Sequence, residues 1–322
     1  MPKTYYVAFW NVENLFDVND SPRRSAKLER TLGKSIDGWN QQRLNKKITQ
    51  LSSIIKKMNG GAGPDLLGVC EVENAHVLNL LAQAANAPNR NYAIQHFDTS
   101  DNRGIDSAFL YDANLFTPEG NFSHFVMRRT ATREIFQVNF RTNKNRLLVV
   151  VGNHWPSRIP NKLETEGYRQ IAGETLSYFH QRILEIHGKA TPVLAMGDFN
   201  DEPFDRAIVH YARAGRSKTR VVKATTARFL NLMWPLMGQG KGTHYFNNDP
   251  NLLDQFLANK NLLKRNSPIQ IAPASTEIVQ FSEMTSRGAY PAPIRFGGLG
   301  KKVNEAGFSD HFPIGVRLTE AD

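Results

Sequence analysis

Short apolar runs recur along the chain and alternate with stretches of helical spacing. The strand-like runs are Tyr5–Trp10, Leu66–Cys70, Ile105–Tyr111, Ile135–Phe140, Leu147–Val151, Val193–Met196, Leu252–Leu257 and Pro313–Leu318. Leu44, Ile48, Leu51, Ile55 and Met58 recur at steps of three and four, which predicts a helix over 41–58. Lys46, Lys47 and Lys57 fall off its apolar stripe in this reading. A second helix is predicted over 162–187 through Leu163, Ile171, Leu176, Phe179 and Ile183, with Pro192 before the next strand. Many strands and two long helices imply sheets covered by helices. No repeat, low-complexity tract or linker divides the chain, so residues 1–322 are expected to form one domain. The segments 18–38 and 264–307, rich in Gly, Pro, Ser and charge, are the expected long loops.

Polar residues gather where these strands end. Asn11 and Glu13 follow the first strand, and Glu71 and Glu73 follow the second. Asn153, His154 and Arg158 follow 147–151, while Asp198, Asn200 and Asp201 follow 193–196. Ser309, Asp310 and His311 precede the last strand. Strand ends hold short loops rigidly, so acids, amides and imidazoles from five of them suggest one composite site. Oxygen donors without thiols suit Mg²⁺, with Mn²⁺ as a substitute. A hard metal with histidine and arginine around one anionic centre describes phosphoryl chemistry.

Composition narrows the class. Hydrophobic residues make up 40% and charged residues 22% of 322, which gives a sizeable core and excludes global disorder. Cys70 is the only cysteine, so neither an intrachain disulfide scaffold nor a multi-cysteine zinc site can form. No apolar run approaches the roughly 18 residues of a membrane helix. The N-terminus begins a strand pattern without a basic region or cleavage site, so a cytoplasmic protein is expected if Met1 is the natural start. The net charge of +10 favours a polyanionic partner. Its basic residues cluster in 23–57 and in 213–228, the second without a single acid.

The strings FWNVENLFD (9–17), GVCEVEN (68–74), RGIDSAFLYD (103–112), GNHWPSR (152–158), MGDFNDEP (196–203), LLDQFLAN (252–259) and GFSDHFPIGV (307–316) occur in this order. Together they resemble the endonuclease/exonuclease/phosphatase superfamily, which includes pancreatic-type DNases, apurinic endonucleases, sphingomyelinases and inositol polyphosphate 5-phosphatases. The resemblance implies a four-layered α/β sandwich of the DNase I-like kind, with two packed, mainly antiparallel β-sheets flanked by helices. It also implies site roles. Asn11, Glu71 and Asp310 resemble the metal-binding positions, with Cys70 standing where the family usually has Gln before the Glu. Asp198 and Asn200 resemble the pair that orients the attacking water and the scissile phosphate. His311 resembles the histidine that bonds a phosphate oxygen, and Asp254 the carboxylate that fixes its tautomer. His154 resembles the second histidine of the DNase and sphingomyelinase branches. Arg103 and Arg158 are expected to grip non-bridging oxygens.

The reading that follows is a metal-dependent nuclease, with DNA favoured over RNA as substrate, monomeric and away from membranes. A phosphomonoesterase or a lipid phosphodiesterase on the same scaffold is the alternative. Glu73 is left to a structural role, and His244 is placed near the rim of the site. The apolar run Phe229–Met237 is expected to pack under the site rather than face lipid, and Cys70 to be core.

Overall fold

A computed structural model describes residues 2–86, 89–97, 105–127, 132–298 and 302–322. The first half of the chain runs β1 (Lys3–Leu15), α1 (Ala26–Leu32), α2 (Gln41–Lys57), β2 (Leu66–Val72), α3 (Ala75–Ala85), β3 (Tyr92–His96), β4 (Asp106–Asp112), β5 (Phe116–His124), β6 (Ile135–Thr142) and β7 (Leu147–His154). It continues with α4 (Lys162–His187), β8 (Val193–Asp198), β9 (Ala214–Gly215), α5 (Lys218–Lys223), β10 (Phe229–Asn231), β11 (His244–Phe246), β12 (Asp249–Asn251), β13 (Asp254–Asn259), β14 (Ile269–Ile271), β15 (Glu277–Ile278) and β16 (Ile314–Glu320). The eight runs read as strands all contain strands; among the described residues, 18–38 carries α1 and a 3₁₀ turn at Gly33–Ile36, and 264–307 carries β14, β15 and a 3₁₀ turn at Ser282–Met284.

Two seven-stranded sheets form the centre, one ordered β14-β16-β1-β2-β4-β3 with β15 on β16, the other β5-β6-β7-β8-β13-β10-β9. Most neighbours are antiparallel, while β1–β2, β7–β8 and β9–β10 are parallel. The apolar runs are continuous because both faces of the central strands are buried. Tyr5, Val7 and Phe9 of β1 point between the sheets, where they meet Phe109, Phe136 and Val138. Tyr6, Ala8 and Trp10 point the other way, onto Leu44, Leu51 and Ile55 of α2 and Leu78 of α3. In the second sheet Val150 and Leu194 face inward, while Val149, Val151 and Ala195 face Ala172 and Leu176 of α4. The result is four layers: helices, sheet, sheet, helix.

Asparagines cap the three longest helices, Asn40, Asn74 and Asn161 each accepting a backbone N–H of the first turn. The two long helices then depart from the expected stripes. Lys47 is fully buried with Leu44, Ile48 and Leu51, since it lies three residues after Leu44 and four before Leu51. On α4 the buried face is Thr165, Arg169, Ala172, Gly173, Leu176, His180 and Ile183, whereas Leu163 and Ile171 are exposed. That face keeps helical spacing but is largely polar or small, which hides it from a search for apolar periodicity.

The run 229–237 enters the core as β10 and a short 3₁₀ turn, with Phe229, Leu232 and Met233 buried. No helix among the described residues is long and apolar enough to cross a membrane.

Candidate active site

The sandwich brings the ends of β1, β2, β7 and β8, the start of β13 and the turn before β16 to one edge. The register aligns His154 with Asp198 across β7–β8, and Asp198 with Asp254 across β8–β13. Gly197 permits that approach, because a Cβ there would meet the Asn153 carbonyl oxygen at 2.1 Å. Asn11 joins the sheets: its Nδ2 donates to Asp198 Oδ2 at 3.1 Å and points to Glu71 Oε1 at 3.4 Å. Its Oδ1 accepts the Glu13 N–H at 3.0 Å, so the amide nitrogen is the end that faces the carboxylates.

Backbone strain collects at the same edge. Glu13, Asn14, Glu71 and Asn200 have φ of 50°, 57°, 66° and 50°, a conformation costing roughly 1–3 kcal/mol per non-glycine residue. At Glu71 the strain accompanies a slip in pairing with both β1 and β4. Strict alternation would send Glu71 and Glu73 to one face of the sheet; the left-handed residue separates them. Glu71 turns to the pocket, where Oε2 accepts the Asn14 N–H at 3.0 Å and Oε1 lies 3.6 Å from His154 Nε2. Glu73 turns inward to a two-pronged pair with Arg24, at 2.9 and 2.8 Å.

Asp198 is the hub. Its Oδ1 accepts the Asn200 N–H at 2.9 Å, and Oδ2 lies 3.8 Å from His154 Nε2 and 3.9 Å from His311 Nε2. His311 Nδ1 is 2.7 Å from Asp254 Oδ2, which fixes Nε2 as the nitrogen turned to Asp198. Thr243 Oγ1 receives the Leu253 and Asp254 N–H groups, both at 3.1 Å, and so fixes that carboxylate. Burial pushes Asp198 upward from the carboxylate range, opposed by His311 and reinforced by Asp254. Burial works against a charged His311, yet Asp254 and then Asp198 hold it well above the ordinary histidine value.

Arg158 reaches the site indirectly. Its guanidinium donates to Asn200 O at 2.8 Å, Asn251 Oδ1 at 2.8 Å and Asp205 Oδ2 at 3.4 Å, bracing the loop that carries Asn200. Arg103 lies outside the described residues. Asn200 Nδ2 is tied to Trp155 O at 3.0 Å.

Sequence reasoning misjudged three groups here, passing over one and placing two too far out. Arg169 of α4, fully buried, bonds Asp201 Oδ1 at 2.7 Å and four further acceptors, which locks the loop after β8. His244 is closer than the rim: its ring centroid is 4.8 Å from that of His311, and burial lowers its pKa to about 4. Lys47 is the third. Burial lowers its pKa to about 8 against the pull of Glu13, Asp310 and Glu71, so it stays mainly charged at neutral pH. The spacing 44–47–51 in α2 was the available signal for it.

The donor chemistry fits a hard divalent cation. Glu71 presents carboxylate oxygens at a partly open edge, its side chain 16% exposed, beside Asp198. Asp254 keeps a buried Oδ1 without a hydrogen-bond partner, and Asp198, Asp254 and His311 offer ligand atoms within 4.8 Å of one another. The His311–Asp254 contact is already a short hydrogen bond, so Glu71 is the carboxylate better placed to take an ion. Cys70, buried and with its thiol pushed up by burial, adds no soft donor.

Carboxylates, amides and paired histidines at the edge of a two-sheet sandwich are the equipment of a phosphoester hydrolase. The chain belongs to the Endonuclease/Exonuclease/phosphatase family, whose match covers residues 6–320; the family hydrolyses phosphoester bonds and is typically dependent on a divalent metal. No curated protein sequence matches it. Among solved structures it is similar to the human Nocturnin catalytic domain with bound sulfate, at 15% identity, 99% and 98% coverage of the two chains and a TM-score of 0.56. It is also similar to a mannosyl-6-phosphatase of Bacteroides thetaiotaomicron (15%, 98% and 99%, TM-score 0.56) and to a humanized TDP2 of D. rerio (12%, 98% and 98%, TM-score 0.58). At these identities the likeness is one of fold.

Proposed function

We propose that the protein is a divalent-metal-dependent nuclease that hydrolyses phosphodiester bonds, with DNA favoured over RNA. The observation that favours a nucleic acid over a small phosphoester is the exposed basic run Arg216, Lys218, Arg220, Lys223 and Arg228, which no acid interrupts. It suits a partner with many phosphates. In this reading water attacks phosphorus in line with the leaving oxygen, oriented by Asp198 and Asn200. The P–O bond to water forms as the bond to the leaving oxygen breaks; the Asp198 carboxylate takes the proton that water loses, and His154 supplies the one the leaving oxygen takes up. The His311 imidazolium, held charged by Asp254, stabilises the charge on a non-bridging oxygen. Mg²⁺ or Mn²⁺ at Glu71 supplies further neutralisation of the phosphoryl oxygens when bound.

A phosphomonoesterase is the second reading, favoured by the mannosyl-6-phosphatase of similar fold. A lipid substrate loses its support with Phe229, Leu232 and Met233 buried in the core. The test is digestion of supercoiled plasmid, linear duplex, single-stranded DNA and RNA with Mg²⁺, Mn²⁺ or EDTA, beside Asp198→Ala. Metal-dependent cleavage that falls at least about 10³-fold in the variant is expected. Phosphate release from small monoesters with no polymer cut would replace the nuclease reading.

A further inference from the structure

The register puts the basic run 213–228 at the far end of the second sheet. Phe229, which follows the run, pairs with Ala214 of β9 and with Asn259, the last residue of β13. Asp254, the first residue of β13, pairs instead with Asp198 at the candidate site. Asn259 is five residues on from Asp254, a span of about 17 Å along a strand. At that far end the run leads into a cavity of about 500 Å³, a volume suited to a small organic ligand. Three cations line it, Lys189, Arg228 and Lys260, against one acid, Glu185.

The walls of this cavity are tied in place. Asn261 Nδ2 donates to the carbonyls of Lys189 and Thr191 at 2.9 and 2.8 Å. On the other side Arg213 donates to Thr226 Oγ1 at 2.9 Å, which leaves that hydroxyl its own proton to donate. Lys260 Nζ gives one of its three protons to Ala224 O at 3.1 Å. Among the described residues no hydrogen bond or ion pair engages the side chains of Lys189 and Arg228. His180 lines the wall too; it is 2% exposed, its ring lies 4.0 Å from that of Phe229, and its Nε2 has no hydrogen-bond partner. We infer that this cavity is a second anion site, which holds a phosphate ester of mononucleotide size with its phosphate on Lys189, Arg228 and Lys260 and its organic body along Leu184. Cations without protein partners, a hydroxyl with a proton to give and walls already fixed suit an oxyanion. The ester is held there without being cleaved, since the groups proposed for hydrolysis lie at the other end of the strands. A free mononucleotide and the phosphorylated end of a strand present the same group. The site stands on its walls and its cations, and goes beyond the nuclease reading.

The test is calorimetric titration of the full chain in EDTA, without reference to turnover. The probes are a nucleoside 5′-monophosphate, the matching nucleoside and inorganic phosphate. The monophosphate should bind more tightly than phosphate, and the nucleoside should not bind. Lys189→Gln and Arg228→Gln, both at exposed positions, should each weaken the monophosphate about tenfold. Lys56→Gln, exposed on α2, should leave it unchanged, and so should His311→Ala. The two exposed variants keep the test decisive if His311→Ala does not fold. Competition by a short 5′-phosphorylated oligonucleotide would assign the site to a strand end, and its absence to a free mononucleotide; the site stands in both cases. No binding of the monophosphate, equal binding of the nucleoside, undiminished binding in both Lys189→Gln and Arg228→Gln, or binding abolished in a folded His311→Ala would each overturn the inference. A chain that cuts no polymer yet keeps the expected pattern would overturn the nuclease reading alone.

Discussion

The long helices α2 and α4 each bury a cation against the edge that carries the site, and they treat it in opposite ways. Arg169 of α4 spends its guanidinium on five acceptors: Asp201 Oδ1, Thr165 Oγ1 and the carbonyls of Pro156, Ser157 and Lys162. Lys47 of α2 has one hydrogen bond, to Phe308 O. The planar five-donor guanidinium is suited to such a junction, while an ammonium is a compact point charge. One cation fastens two loops together. The other holds a single carbonyl and lies over an aromatic face.

The comparison breaks most readily at Arg169. Arg169→Met abandons Asp201 in the core, and a loss of about 3–5 kcal/mol in urea unfolding is expected. Lys47→Met should cost less, about 1–3 kcal/mol. Equal losses would erase the distinction between the two cations.

A histidine pair sharpens it further. His311 has a folded pKa above its ordinary value of 6.5, so its stabilisation is complete below that value and is lost as pH rises through the folded one. Asp254→Asn should therefore cost about 2 kcal/mol near pH 6 and less near pH 9, read from urea midpoints. A gap independent of pH would mean that the charge is not held by Asp254. The smallest effect belongs to His180 on α4, stacked 4.0 Å from Phe229 and with burial lowering its pKa to about 3. A lowered histidine stabilises above 6.5 and loses that contribution as pH falls towards 3. His180→Phe should stay within about 1.5 kcal/mol of the parent at neutral pH and lose stability more slowly on acidification.

The strands were legible because sheets buried on both faces leave unbroken apolar runs, and the site because its residues sit where those runs stop. The face of α4 was not legible: Thr165, Arg169 and Gly173 obey helical spacing without being apolar. Lys47 was misread for the complementary reason, being charged at a position whose neighbours three and four residues away are leucines. The parting of Glu71 from Glu73 depends on a single left-handed residue, which neither composition nor periodicity encodes. Arg158 carries the right chemistry for phosphate, but Asn200, Asn251 and Asp205 engage its guanidinium.

The hydrogen bond from Asn11 to Asp198 crosses from one sheet to the other at the candidate site. The site is thus split across a gap whose width the core determines. Gly68 helps to set that width, since a methyl group there would press on Met196 Sδ at 2.8 Å. Slight swelling of the interior, by heat or by an oversized core residue, would draw the two half-sites apart while every strand kept its partners. Loss of function would then precede unfolding, with the candidate site acting as the first gauge of how tightly the sandwich is closed.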